Sequence, residues 1–337
     1  MGLKGIAGAL VGAGAMLCSL APASAQVPEI RLARQFSIGY LQLNVMEHQH
    51  LIEKHAKALG LKEVKVSWFK FNGPTAVNEA LISGNIDIGS GGVPGLLQLW
   101  SRTVGTPQEI RGISALSSQP FLLNVNKPEI KSIKDFTDND RIAVPAVKSS
   151  VQAMTLEMAA AKTWGTKQFD KLDPLTISMR PPDATVALLH GGGQISGVFG
   201  VPPFQYQMLQ DPKVHTVLNS FDVLGGSHTF TAIWTSKRFR DKNPVLYKAF
   251  VAALTEATAI VAKDPAAAAK YWIEDSKSKL SPDMVGKIVS GPQVHWTMVP
   301  EKTMKFADFM ATVGRIKKQP KSWKDYFFPE IQGVKGS

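Results

Sequence analysis

From Gln35 onward, short apolar runs alternate with helix-length amphipathic stretches, the pattern of mostly parallel sheets with helices on their faces. QFSIGYL (35–41) reads as a first strand, followed by a helix from about Met46 to Leu59. EVKVSWFKF (63–71) alternates as a second strand, and Pro74 suits the first turn of the next helix, where a missing N–H costs nothing. Gly84 ends that helix, IDIGS (86–90) forms a third strand, and Pro94 opens a helix toward Trp100. IRGISAL (110–116) and FLLNV (121–125) are strand-like, and the polar residues and proline of SSQP between them mark a crossing. A second series runs from strand RIAVPA (141–146) through a helix over Val151 to Trp164, LTISM (175–179), a helix over Asp183 to His190, SGVFG (196–200) and a helix from Pro203, to HTVLN (215–219). After strand FTAIWT (230–235) the chain is mostly helical, so its C-terminal region is expected to pack on the first lobe.

This order predicts an α/β protein of two lobes, 26–118 with 228–337 and 119–227, joined by crossings near Ser117 to Phe121 and Leu224 to Phe230. A weak internal echo agrees: EALISGNIDIGSGGVP (79–94) and VALLHGGGQISGVFGVPP (186–203) both run helix, glycine turn, strand, glycine, proline. Residues 1–25 read as an export signal, with Lys4, an apolar run from Ile6 to Leu20 and the cleavage site Ala23-Ser24-Ala25. That run is short of the ~20 residues of a membrane span, and no later stretch is expected to reach that length. Cys18, the only cysteine, lies in this segment, and Leu17 before it argues against a lipid anchor. The mature chain, 337 − 25 = 312 residues, would therefore carry no disulfide, thiolate metal site or cysteine nucleophile. The formal charge of +11 is spread along the chain, with RIKKQPKSWK (315–324) the densest cluster. A solvated basic surface that attracts anions at long range accounts for this better than a nucleic-acid interface.

The stretch FNGPTAVNEALISGNIDIGSGGVP (71–94) resembles a signature of the periplasmic substrate-binding proteins of ABC importers for nitrate, sulfonate and taurine, a group related to thiamine-precursor binders. IGYLQLN (38–44), AVPAVKSSVQAM (143–154) and DATVALLHGG (183–192) extend the resemblance along the chain. It implies a type II periplasmic-binding-protein fold, a periplasmic location and a monomer that delivers a small anion to the transmembrane subunits of a permease. The chain departs from the pattern at Gly91-Gly92 and at Ser196, where the resemblance implies acidic residues.

In such a fold the ligand sits where helix N-termini and strand carboxyl ends converge, so free peptide N–H groups and helix dipoles can hold an anion without a lysine. The candidate donors are Gln42 and Asn44 after the first strand, Asn72 and Gly73, Ser90, Gly91 and Gly92, then Ser149, Ser150 and Val151, with Pro202 and His228 at the edge. Each has a plainer reading: Ser149 or Ser150 as a helix cap, Gly91-Gly92 as a tight turn, Asn72 as a turn residue, Gln42 and Asn44 as loop polars, His228 as a packed histidine. EHQHLIEKH (47–55) invites a metal, but His48 and His50 point to different sides of a helix, so no metal or cofactor is expected; whether Glu47 or His48 reaches the cleft stays open. No nucleophile elbow, HExxH pair or phosphate loop occurs, and LHGGGQ (189–194) lacks a partner nucleophile. A binding protein is therefore expected; the alternative is an exported or fold-related enzyme acting on a small heterocycle or ester.

Overall fold

A computed structural model describes residues 1–2 and 28–337. The expected export signal, its cleavage site and Cys18 lie outside the described residues. Strands β1 (Glu29–Gln35), β2 (Lys65–Phe71), β3 (Ile88–Gly91) and β4 (Ile110–Ser118) come first, then β5 (Leu122–Val125), β6 (Ile142–Val144), β7 (Thr176–Ser178), β8 (Gly197–Phe199) and β9 (His215–Asn219). The last two are β10 (Thr229–Ser236) and β11 (His295–Trp296). They form two sheets, ordered β11-β4-β10-β3-β1-β2 and β7-β6-β8-β5-β9.

Parallel pairing is confined to β2-β1-β3 and β7-β6-β8, whose strands are joined by helical crossovers; β4, β5, β9, β10 and β11 pair antiparallel. Each parallel trio is extended by an antiparallel strand, β10 beside β3 and β5 beside β8, so the two sheets share one plan, the one the sequence echo pointed to.

The helices are α1 (Leu41–His48), α2 (Leu51–Ala58), α3 (Pro74–Ile82), α4 (Val93–Thr103), α5 (Val151–Trp164), α6 (Pro181–His190) and α7 (Phe204–Met208). After α8 (Ser220–Leu224) come α9 (Lys237–Lys242), α10 (Pro244–Lys263), α11 (Pro265–Ser276), α12 (Pro282–Val289) and α13 (Thr303–Thr312). The expected first strand is displaced: EIRLARQ forms β1, with Ile30 and Leu32 fully buried, while 35–41 folds into a 3-10 turn leading into α1. Ser37 caps that turn by accepting a bond from the Gly39 amide at 2.9 Å. An apolar run this short has no period that separates strand from buried helix.

Helices α10, α11 and α12 cover one face of the first sheet, α10 packing on α1 and α2 and α11 on α1 and α12, while β11 extends β4; α13 departs from the expected packing on the first lobe alone, because Phe306 and Met310 join the other core, against α4 and α5. Contrary to expectation, α10 is long and apolar enough to span a membrane by length and composition. Phe250, Leu254, Ala257 and Val261 are fully buried, so its apolarity belongs to the core. A second apolar core runs without a break from Val77, Leu97 and Trp100 to Leu123, Val144, Met154 and Phe199, binding the two sheets' layers together.

A candidate ligand cleft between the sheets

Between the sheets lies a cavity whose walls are the residues that follow strand ends. Gln35 ends β1 and Phe36, Ser37 and Tyr40 follow it, Asn72 and Pro74 come after β2, and Gly92 after β3. From the other sheet come Pro145, Ser150, Val151 and Gln152 after β6, Pro181 after β7 and Val201 after β8, while Phe230 of β10 closes the apolar side. This is where open α/β sheets bind ligands, since the loops there feed helix N-termini. At about 30 Å³ the cavity is far smaller than the ~300–1,000 Å³ of drug-sized sites, room for two or three waters at ~10–15 Å³ each. Every side chain lining it is uncharged.

Donors converge on this space. Ser150 caps α5: its Oγ donates to the Ala146 carbonyl at 2.7 Å and accepts from the Ala153 amide at 3.2 Å. The amides of Val151 and Gln152, first in α5, make no hydrogen bond among the described residues. The Gln152 side chain, only 2% exposed, also lacks a partner there, as does the hydroxyl of Tyr40. Burial pushes the Tyr40 phenol pKa well up, so the group stays a neutral donor. On the first sheet's side, α3 starts at Gly73 with Pro74 at its first position.

The two sides touch directly. A Cβ on Gly92 would come within 2.6 Å of the Val151 Cβ, and one on Gly73 within 2.9 Å of the Pro145 carbonyl oxygen, so each glycine permits a close approach. Thr75 Oγ1 meets Ser149 Oγ at 3.1 Å, Gln98 Nε2 donates to the Lys148 carbonyl at 3.3 Å, and the Pro202 carbonyl accepts from Ser37 Oγ at 2.9 Å and from the Ile38 amide at 3.1 Å.

Of the residues singled out in the sequence, Asn72, Gly92, Ser150 and Val151 line the cavity, and Gly73, Ser149 and Pro202 form the seam around it. Five lie elsewhere. Gln42 and Asn44 sit inside α1 because the first strand is displaced: both are buried, Gln42 donating to the Leu116 carbonyl and Asn44 to Asp275. Ser90 turns inward, its Oγ donating to the Ala33 carbonyl at 2.6 Å, and Gly91 packs against Gln35 and Trp234. His228 is fully buried among Phe121, Phe221 and Phe306; Nδ1 donates to the Thr229 carbonyl and Nε2 meets Ser220 Oγ, both at 3.0 Å. Burial pulls its pKa down to about 4, so it packs as a neutral ring.

Sequence reasoning missed Phe36, Ser37, Tyr40, Gln152 and Phe230. The first three fall in the stretch misread as a strand; Gln152, a lone amide at the start of an otherwise apolar helix, was the available signal. The histidine cluster does not converge. His48 pairs with Asp275 at 2.7 Å and His55 with Glu256 at 2.7 Å, while Glu47 pairs with Arg34 at 2.5 Å. None of them lines the cavity, and no group of three metal-ligating side chains gathers among the described residues.

The NMT1-like family model matches residues 25–273. The taurine-binding periplasmic protein of Escherichia coli K12 is 28% identical over 194 residues, a match that spans 57% of this chain and only 56% of the relative. The alkanesulfonate-binding protein SsuA of Xanthomonas axonopodis pv. citri, solved bound to MOPS, superposes with a TM-score of 0.67 at 18% identity, over 88% of this chain and 96% of its own. The nitrate-binding protein NrtA of Synechocystis PCC 6803 superposes with a TM-score of 0.65 at 14% identity, over 91% and 84% of the two chains. The resemblance read from the sequence is thus borne out for family and fold, and the solved and curated relatives named here are solute-binding proteins. The chain is a member of the NMT1-like family with the two-sheet α/β fold of periplasmic binding proteins.

Proposed function

We propose that the protein is the periplasmic solute-binding component of an ABC importer, a monomer that encloses a small organic anion between two lobes and hands it to the transmembrane subunits of a permease. The lobes are 26–118 with 228–337 and 119–227, so each sheet moves with its own helices and the crossings act as hinges. A sulfonate is the first choice of cargo, ahead of an aromatic carboxylate, nitrate and a thiamine precursor. The observation that carries this reading is the cavity at the strand ends, where the unpaired amides of Val151 and Gln152, the Gln152 side chain and the Tyr40 hydroxyl face one uncharged space. Bonds from neutral donors to a charged group contribute about 1.5–3 kcal/mol each, so three or four support micromolar binding once association costs are met. Ser149 sits on the seam and Ser150 is committed to capping α5, so these serines shape the site more than they grip the cargo.

A thermal-shift screen of the mature chain against these four ligand classes tests the reading. A ligand present at about 100 times its dissociation constant adds about 2.7 kcal/mol of stability. Gln152→Ala with Tyr40→Phe should weaken the best hit tenfold or more. Absence of any stabilising anion, or a hit indifferent to both changes, would overturn it.

A further inference from the structure

Gln35, the last residue of β1, is half-buried and lines the cavity. Its Nε2 donates to the Ser90 carbonyl at 2.8 Å and lies over Gly91, where a Cβ would come within 2.7 Å of it. That bond settles which way the carboxamide faces, because the reverse orientation would set two carbonyl oxygens 2.8 Å apart. Oε1 is the atom left over: it accepts no hydrogen bond among the described residues, and it is not sealed inside the core. The remaining polar groups on the walls are chiefly donors, the amides of Val151 and Gln152 and the Tyr40 hydroxyl, while the Gln152 side chain offers either sense. The cavity therefore presents several donors and one acceptor whose direction is fixed. In a space of two or three waters, a group held by the α5 amides also lies beside Gln35.

Building on the proposed function, we infer that Gln35 sets specificity: it selects anions that carry a neutral donor of their own, a hydroxyl or amide N–H near the charged group, over plain anions of the same skeleton. Sulfonate, carboxylate and nitrate oxygens only accept, so a plain anion leaves Oε1 unpaired once water is excluded. A donor on the cargo satisfies it, and sites built to bond a ligand hydroxyl discriminate strongly against the analogue that lacks one. Ser90 and Gly91 then act on the cleft through their backbone: the Ser90 carbonyl aims the carboxamide, and Gly91 leaves room for Nε2.

Calorimetric titration of the mature chain, unfolded and refolded to strip carried ligand, compares ethanesulfonate with 2-hydroxyethanesulfonate and propionate with 3-hydroxypropionate. In whichever pair binds, the hydroxy form should bind about tenfold tighter or more. Gln35→Met keeps the length of the side chain without the acceptor and should bring that ratio to threefold or less. The ratio is internal to each protein, so affinity lost equally by both ligands through the freed Ser90 carbonyl does not enter it. 2-Fluoroethanesulfonate and 3-fluoropropionate, close in size to the hydroxy forms but unable to donate, should bind the parent protein within threefold of the plain anions, a measurement that stands even where Gln35→Met fails to fold. A hydroxy preference below tenfold, a fluoro form that departs from the plain anion towards the hydroxy form by more than threefold, or a preference above threefold kept in folded Gln35→Met overturns this role of Gln35 and leaves the anion-cleft reading intact. Failure of every one of these anions to bind overturns that reading and the selection with it.

Discussion

Gly92→Ala isolates closure from folding. Gly92 has φ of −72° and ψ of 153°, an ordinary extended conformation, so alanine brings no backbone strain. The new methyl would instead stand 2.6 Å from Val151 Cβ on the other side of the seam, about 0.8 Å inside the 3.4 Å where ordinary contact begins. A Cβ is fixed to its backbone and cannot rotate away, so relief requires α4 and α5 to separate. Overpacking of this kind costs about 1–3 kcal/mol, here felt only by the closed form. At 1.4 kcal/mol per tenfold, ligand affinity should fall about 5- to 150-fold with little change in the unliganded melting temperature. Titration of Gly92→Ala with the best anion measures this. Because the clash is with Cβ, Val151→Gly should restore binding in the double variant relative to Val151→Gly alone, and Val151→Ala should not. Affinity within twofold of the parent protein, or equal rescue by glycine and alanine, would refute the seam as the closing contact.

Three further outcomes test the surrounding scaffold. Ser150→Ala removes the α5 cap and should lower stability by about 1 kcal/mol in denaturant melts, whereas Ser149→Ala, which loses only the 3.1 Å contact with Thr75, should cost less. Arg315 bonds Glu157 at 2.6 Å and Asp173 at 2.8 Å, and the Glu157 carboxylate is 1% exposed; Arg315→Met should cost about 3–5 kcal/mol at neutral pH. Burial raises the Glu157 pKa to about 7 even with Arg315 present, and losing Arg315 raises it further; parent and variant both lose stability between pH 4.5 and 7, so the extra cost of Arg315→Met should grow above about pH 7 and shrink below it, read from melts at pH 5 and 8. His228 has a folded pKa of about 4 against an unfolded 6.5, so the folded state binds fewer protons between these values. Stability should therefore fall by at most about 3.4 kcal/mol from this group as pH drops from 6.5 to 4, and His228→Gln should flatten that slope in acid melts.

The fold was legible because helix punctuation was explicit: Pro74, Pro94 and Ser150 mark helix starts that the structure keeps, and Val151–Trp164 is one helix as read. What failed was local and had consequences for the site. Placing the first strand over 35–41 put Gln42 and Asn44 in a loop near ligand, whereas β1 ends at Gln35 and both side chains point into the core. The same displacement hid Ser37 and Tyr40, which line the cavity. Ser90 follows the period of β3, and only tertiary packing decides that its hydroxyl reaches Ala33 instead of the cleft. The 3-10 turns and short helices such as α8 and α9 carry too few residues for a periodic signal.

Backbone amide spectra of isotopically labelled protein, recorded while ethanesulfonate is added, bear most directly on the central claim. The account predicts that the Val151 and Gln152 N–H signals move furthest and saturate with the calorimetric affinity. Saturable shifts confined to another face of the molecule, with these two amides unmoved, would contradict it.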